Sequence, residues 1–311
     1  YSANRAAGRG PPTGVAQIPP DGDGARPQVG SQAAALVFEY QTEGSIQRLT
    51  ALFRHAPDVV GPTRSGRRIA FRLVRHYRGN LFLSGLSDDA HRFLTSDPVP
   101  AWFDNPPAFY RDLSRAAPNN LMLSGDGVLA DEQAGGSTGY SGSPDGPYQI
   151  GKPDLGPSTP ATGFIVDEHR SAYTYDPALG VYTKVEDGET MTDAAQGKPD
   201  QLFMVLVLHA NEFLVSDIES GCCTHGRDFD LDSHGALDIY YRGQHSVGTW
   251  SSADRAAALV LSTANGAALT LPNGLVWVDV VGNSRDRGGG FPISSLSGRG
   301  LLAHHPRHSS S

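Results

Sequence analysis

The spacing of apolar positions changes part-way along the chain. Ala33 to Tyr40 is a short apolar run that reads as a strand. In the stretch from Ser45 to Phe53, the residues Ile46, Leu49, Leu52 and Phe53 fit helical and extended spacing equally well, so pattern alone leaves that element open. Ile69, Leu73 and Tyr77 are spaced by four and share one helical face, which predicts a helix from about Ser65 to Arg78. Leu81-Phe82-Leu83 then reads as a buried strand. After Phe164 the runs become strand-like: Phe164 to Val166, Ala172 to Tyr175, Val181 to Val185, Leu202 to His209, Leu237 to Tyr241, Ala256 to Leu261, Ala268 to Leu271 and Val276 to Val281. Asn265-Gly266 and Asn273-Gly274 are turn dipeptides between them. This pattern predicts an α+β protein, with a mixed N-terminal domain followed by a β-rich C-terminal domain.

Pro, Gly and Ser mark the boundaries. Residues 1–32 hold too few apolar groups to repay ordering and read as a flexible tether. Residues 131–163 are rich in Gly, Pro and Ser and read as the connection between a first domain at 33–130 and a second at 164–282. Residues 283–311, with the Gly288-Gly289-Gly290 run and a His/Ser-rich finish, read as a loose tail in which His304, His305 and His308 are solvated.

Charge and composition narrow the partners. The formal net charge of −8 repels phosphate backbones, so nucleic acid is not expected as a partner. No apolar run approaches the ~20 residues of a membrane helix, and no transmembrane segment is expected. The chain opens at Tyr1 without a charged and then apolar leader, which fits a processed, exported protein. Cys222 and Cys223 are adjacent and cannot staple distant segments. They read as two small packed residues or as a strained vicinal disulfide.

Gly61-Pro62-Thr63-Arg64-Ser65-Gly66-Arg67 is the most distinctive segment. It resembles the Gly-Pro-Val-Arg-Ser-x-Arg signature of the YerB-like family of bacterial lipoproteins, a domain of unknown function with N- and C-terminal parts. Gly44 to Phe53 upstream and Tyr77 to Gly85 downstream follow the same pattern. In the second half Tyr175-Asp176 with Gly180 and Tyr182, Gly248-Thr249-Trp250, and Leu271-Pro272-Asn273-Gly274 before Trp277 are similar to the family's later motifs. The resemblance covers about residues 33–282. Thr63 stands where the family has Val, and Asn119 stands where His is expected, which removes a proton-transfer group from that position. The resemblance implies an extracytoplasmic, envelope-associated α+β protein and supplies no reaction.

Arg64, Arg67 and Arg68 cluster where the predicted helix begins, so guanidinium forks and free backbone N–H groups could together hold a phosphate or carboxylate. The alternative is that Arg64 and Arg67 brace the two domains through internal carboxylates such as Asp176. The candidate ligand-binding set is Arg64, Ser65, Arg67, Arg68, Tyr175 and Asp176, placed near the surface between the domains. Binding of an anionic envelope ligand or protein partner is the leading function. An enzyme acting on a phosphorylated envelope substrate, with Asp176 as acid or base, and a structural subunit of a surface assembly are the alternatives. Asp228-Phe229-Asp230-Leu231-Asp232 alternates carboxylates as a calcium loop does, yet Ser233 and Ile239 fall where such a loop needs Gly and Glu. His209, His225, His234 and His245, with the two cysteines, lack the spacing of a zinc site. No metal and no cofactor are expected, and catalytic residues stay unassigned.

Overall fold

The structure is a computed structural model that describes residues 14–18, 24–44, 46–135, 146, 148–219 and 223–283. The expected C-terminal tail, most of the Gly-rich core of the 131–163 connection, and Cys222 lie outside the described residues.

The first half contributes β1 (Gly14–Ile18), β2 (Leu36–Gln41), β3 (Gln47–Phe53), α1 (Arg68–Tyr77), β4 (Asn80–Leu83), α2 (Asp88–Ser96), β5 (Ala101–Phe103) and α3 (Gly125–Gly135). The second half contributes β6 (Gly163–Val166), β7 (Ser171–Asp176), β8 (Val181–Glu186), β9 (Met204–Ala210), β10 (Glu212–Glu219), β11 (Cys223–Phe229), β12 (His234–Tyr241), β13 (Gln244–Ser251), β14 (Val260–Thr263) and β15 (Val276–Gly282). Strands from both halves join in one sheet in the order β14-β13-β12-β9-β15-β2-β3-β1-β4-β5, with Thr159–Pro160 beside β13. At its centre β15 lies between β2 and β9 and runs parallel to both.

Alternation along these strands sorts their side chains into two cores. Leu36, Phe38 and Tyr40 of β2, with Leu206, Leu208, Val276 and Val278, face one way and pack under Ile69, Leu73 and Tyr77 of α1. Val37 of β2, with Val205, Val207, Tyr240 and Trp277, faces the other way. A small antiparallel sheet of β6, β7 and β8 covers that second face through Phe164, Tyr173 and Tyr182. The molecule therefore has a helical layer, a long mixed sheet and a short second sheet.

This corrects the expected α+β class. Strands hold 44% of the described residues against 15% in helix, and the N-terminal half is sheet-rich like the rest. The open stretch from Ser45 to Phe53 supplies the reason. It is strand β3, whose seven residues are all buried because it pairs with β2 on one side and β1 on the other. Ladder bonds on both edges decide what apolar spacing could not. Gly14–Ile18, inside the stretch expected to be a tether, sits between β3 and β4, where its backbone groups find partners on both sides. The helix predicted from Ser65 begins at Arg68, after the motif. Ala256 to Leu261 shifts to β14 (Val260–Thr263), and Ala268 to Leu271 forms isolated bridges to Ser262 and Ile150.

Candidate functional site

The Gly61 to Arg68 segment is an extended connector bonded on both flanks. Gly61 exchanges backbone hydrogen bonds with Val29 at 2.8 and 3.1 Å, and the Thr63 N–H donates to the Leu121 carbonyl at 2.7 Å. On the other side Ser84 N–H donates to the Arg64 carbonyl at 3.0 Å, and Gly66 N–H to the Gly85 carbonyl at 3.1 Å. A Cβ at Gly66 would meet Leu83 Cδ1 at 2.7 Å, so any side chain there would require the buried Leu83 to shift.

The three arginines of the motif have different surroundings. Arg67 is 5% exposed, and its guanidinium makes a two-pronged contact with Glu43 in the turn after β2, Nε donating to Oε2 at 2.9 Å and Nη2 to Oε1. Its Nη1 also donates to Ser65 Oγ and the Gly66 carbonyl, each at 3.1 Å. Burial pushes the Glu43 carboxyl up, but the Arg67 contact outweighs it and holds the group below its ordinary value. Arg68 forks onto Asp89 of α2, with Nε to Oδ2 at 2.6 Å, and lies 5.4 Å from the Phe93 ring centre. Arg64 and Ser65 are half-buried, and Arg64 Nη2 donates to Asn119 Oδ1, the position where the resemblance expected His.

Tyr175 and Asp176 belong to a different neighbourhood. Both end β7 in the small sheet, where Tyr175 packs on Tyr182 with ring centres 5.2 Å apart. The Asp176 carboxylate caps its own turn, accepting from the backbone N–H groups of Ala178 and Leu179 at 2.8 and 3.3 Å. The structure thus gathers Arg64, Ser65, Arg67 and Arg68 on one connector and sets Tyr175 and Asp176 elsewhere.

A second constellation lies between the long sheet and the small one, and motif reading did not find it. Glu39, His169, Lys184, Glu186 and Asp279 are all 0% exposed. His169 Nδ1 is 2.7 Å from Asp279 Oδ1 and 3.9 Å from Glu39 Oε1. The Tyr173 hydroxyl donates to Asp279 Oδ2 at 2.8 Å, and Trp277 Nε1 donates to Glu39 Oε2, also at 2.8 Å. Lys184 Nζ lies 2.5 Å from both Glu39 Oε2 and Glu186 Oε2. Ligand-type atoms of Glu39, His169 and Asp279 all lie within 4.8 Å of one another, so these three could hold a metal ion. Burial pushes the Glu186 carboxyl up to about 7 despite Lys184. The sequence did carry a signal: Glu39 is the one charge within the apolar run from Ala33 to Tyr40, and Asp279 the one charge within Val276 to Val281.

A family model described as "Protein of unknown function (DUF3048) N-terminal domain" matches residues 13–138, and its C-terminal counterpart matches residues 162–278. The chain belongs to the DUF3048 family. It is 26% identical over 269 residues to a Bacillus subtilis protein named "Putative lipoprotein YerB", covering 83% of this chain and 77% of that one. It also resembles the crystal structure of YerB protein from Bacillus subtilis, with a TM-score of 0.73 at 24% identity over 88% of this chain and 91% of the other, a likeness of fold. The buried constellation links the two DUF3048 segments. Glu39 comes from the first, His169, Lys184 and Glu186 come from the second, and Asp279 lies one residue past its matched end.

Two further sequence candidates have close partners of their own in this DUF3048 chain. In the Asp228 to Asp232 run, Arg72 of α1 reaches Asp228 Oδ2 and Asp232 Oδ2, each at 2.9 Å. Asp230 Oδ1 accepts from the Asp232 backbone N–H at 3.0 Å. The Arg72 guanidinium thus bridges two of the three carboxylates of this run. His209 and His245 each place Nε2 2.7 Å from a different oxygen of Asp238, across three adjacent strands.

Proposed function

We propose that this chain is an extracytoplasmic, envelope-associated protein that holds an anionic group, a phosphate or a carboxylate, at the outer rim of the Gly61 to Arg68 connector. The single observation behind this reading is that Arg64 and Ser65 stand half-exposed on a backbone bonded on both flanks. A fixed connector has already lost the freedom that binding would otherwise remove, which favours recognition by a guanidinium fork and a hydroxyl. Arg67 is a positioning residue in this reading, locked onto Glu43. Arg68, whose side chain is 28% exposed, lends positive charge beside them. The name of the Bacillus relative supports envelope association.

Calorimetric titration of the full chain with inorganic pyrophosphate, and separately with citrate, tests the reading and separates the two anion classes. Arg64→Glu should abolish the binding heat while leaving the melting temperature where it was. A wild-type protein that binds neither anion, or an Arg64→Glu variant that binds as the parent does, overturns it.

A further inference from the structure

We propose that Glu39, His169 and Asp279 form a buried structural site for a divalent first-row metal ion, Zn2+ or Mn2+, clamping the two DUF3048 segments together. Glu39 and Asp279 are Cα partners across the parallel pair β2 and β15, and alternation sends both carboxylates to the same face. Two carboxylates side by side and out of water repel each other unless a cation stands between them. The third element, the 3-10 turn at Asp167–His169, delivers His169 Nδ1 to that position, 2.7 Å from Asp279 Oδ1 and 3.9 Å from Glu39 Oε1. Donors bound about 2.0 to 2.2 Å from a tetrahedral zinc lie roughly 3.3 to 3.6 Å apart, and the two observed separations bracket that range.

The two carboxylates follow the pattern of a metal site's outer shell, in which the oxygen turned away from the metal is held by a donor. Tyr173 holds Asp279 Oδ2, and Trp277 with Lys184 holds Glu39 Oε2. That leaves Asp279 Oδ1 and Glu39 Oε1 turned toward the imidazole. Glu39 Oε1 is fully buried and has no hydrogen-bond partner among the described residues, an unspent acceptor in the place where a ligand atom is needed. Of the neighbouring cations, Lys184 is shared equally between Glu39 Oε2 and Glu186 Oε2, each at 2.5 Å, and Arg26 pairs with Glu186 Oε1 at 3.3 Å and Glu189 Oε2 at 3.2 Å, so these two cations face three carboxylates before Asp279 is counted. One imidazole with two carboxylates suits zinc or manganese. The ion takes the place of the proton between His169 and Asp279, and water fills the remaining coordination position. Because the three side chains are 0% exposed, the ion enters as the chain folds, and its binding energy becomes folding energy.

Elemental analysis of the full chain, purified without chelator and then dialysed against EDTA, should find one ion per chain that is released only on denaturation. Protein refolded in chelator should melt several degrees lower, and Zn2+ or Mn2+ supplied during refolding should restore it. Tyr173→Phe keeps the ring, drops the bond to Asp279 Oδ2, and should weaken metal binding roughly tenfold or more. Glu39→Gln keeps an acceptor for Lys184 and Trp277 and should lose the ion. Native protein without metal whose melting temperature is unchanged by refolding with either ion overturns the proposal. So does a folded Glu39→Gln variant that retains stoichiometric metal.

Discussion

Asp200 is 1% exposed and has Ser31 as the hydrogen-bond donor to its carboxyl, Oγ lying 3.0 and 3.1 Å from its two oxygens. Burial raises its affinity for a proton, the Ser31 bond offsets part of the rise, and nearby Asp193 adds to it, so the group is pushed up to about 7. An acid whose folded value lies above its unfolded one contributes stability that is complete below about pH 4 and lost as pH rises to about 7. Asp200→Asn imitates the neutral acid and should match the parent near pH 4. By pH 8 it should be the more stable by up to about 4 kcal/mol, read from urea unfolding at both pH values. Equal stabilities at pH 8 would mean that the carboxylate is hydrated in its folded position. At this scale the sequence displayed identities without partners. Arg64, Ser65, Arg67 and Arg68 were legible as a cluster, whereas the choice of Glu43 rather than Asp176 for Arg67 depends on which turn the connector passes, and no spacing encodes that.

Among the elements, α1 starts without a side-chain cap, and its first turn is anchored from outside by Arg67 on Glu43 and Arg68 on Asp89. Arg67→Ala would leave Glu43 buried with Arg48 beside it at 3.7 Å, and should cost about 3 kcal/mol in urea unfolding. Glu43→Gln on that background should recover part of the loss, and an uncharged site that gains nothing would assign the cost to packing instead. The helix after Arg64 was legible because Ile69, Leu73 and Tyr77 lie on its buried face. Helix α2 was not read, although Ser87 followed by Asp88-Asp89 is an N-terminal signature, and Ser87 Oγ does accept the Ala90 N–H at 3.1 Å. Strand β3 was ambiguous for a different reason. Its apolar positions are buried on both faces, so alternation is lost and only its neighbours in the sheet identify it.

For the whole molecule, the run of strand-like segments after Phe164 was visible in the sequence, but the way they join the first half was not. Pairing between residues as far apart as Leu36 and Val276 leaves no local mark. The long sheet and the constellation around Glu39 and Asp279 both cross the division between the DUF3048 segments. The chain should therefore unfold in one calorimetric transition. Cleavage at a protease site engineered between the segments should leave the two pieces together on a sizing column until denaturant is added. Two transitions, or pieces that separate in native buffer, would show that the shared sheet is not what sets cooperativity.

Strand β15 is the last described strand of the chain and lies at the middle of the long sheet, between β2 and β9. A nascent polypeptide emerging from its N-terminus exposes β2 240 residues before the strand that will cover its open edge, the interval between the paired Leu36 and Val276. Until then that edge is a template for wrong pairing, and every early contact made there is provisional. The order of the strands thus delays closure of the long sheet at its centre until β15 has emerged.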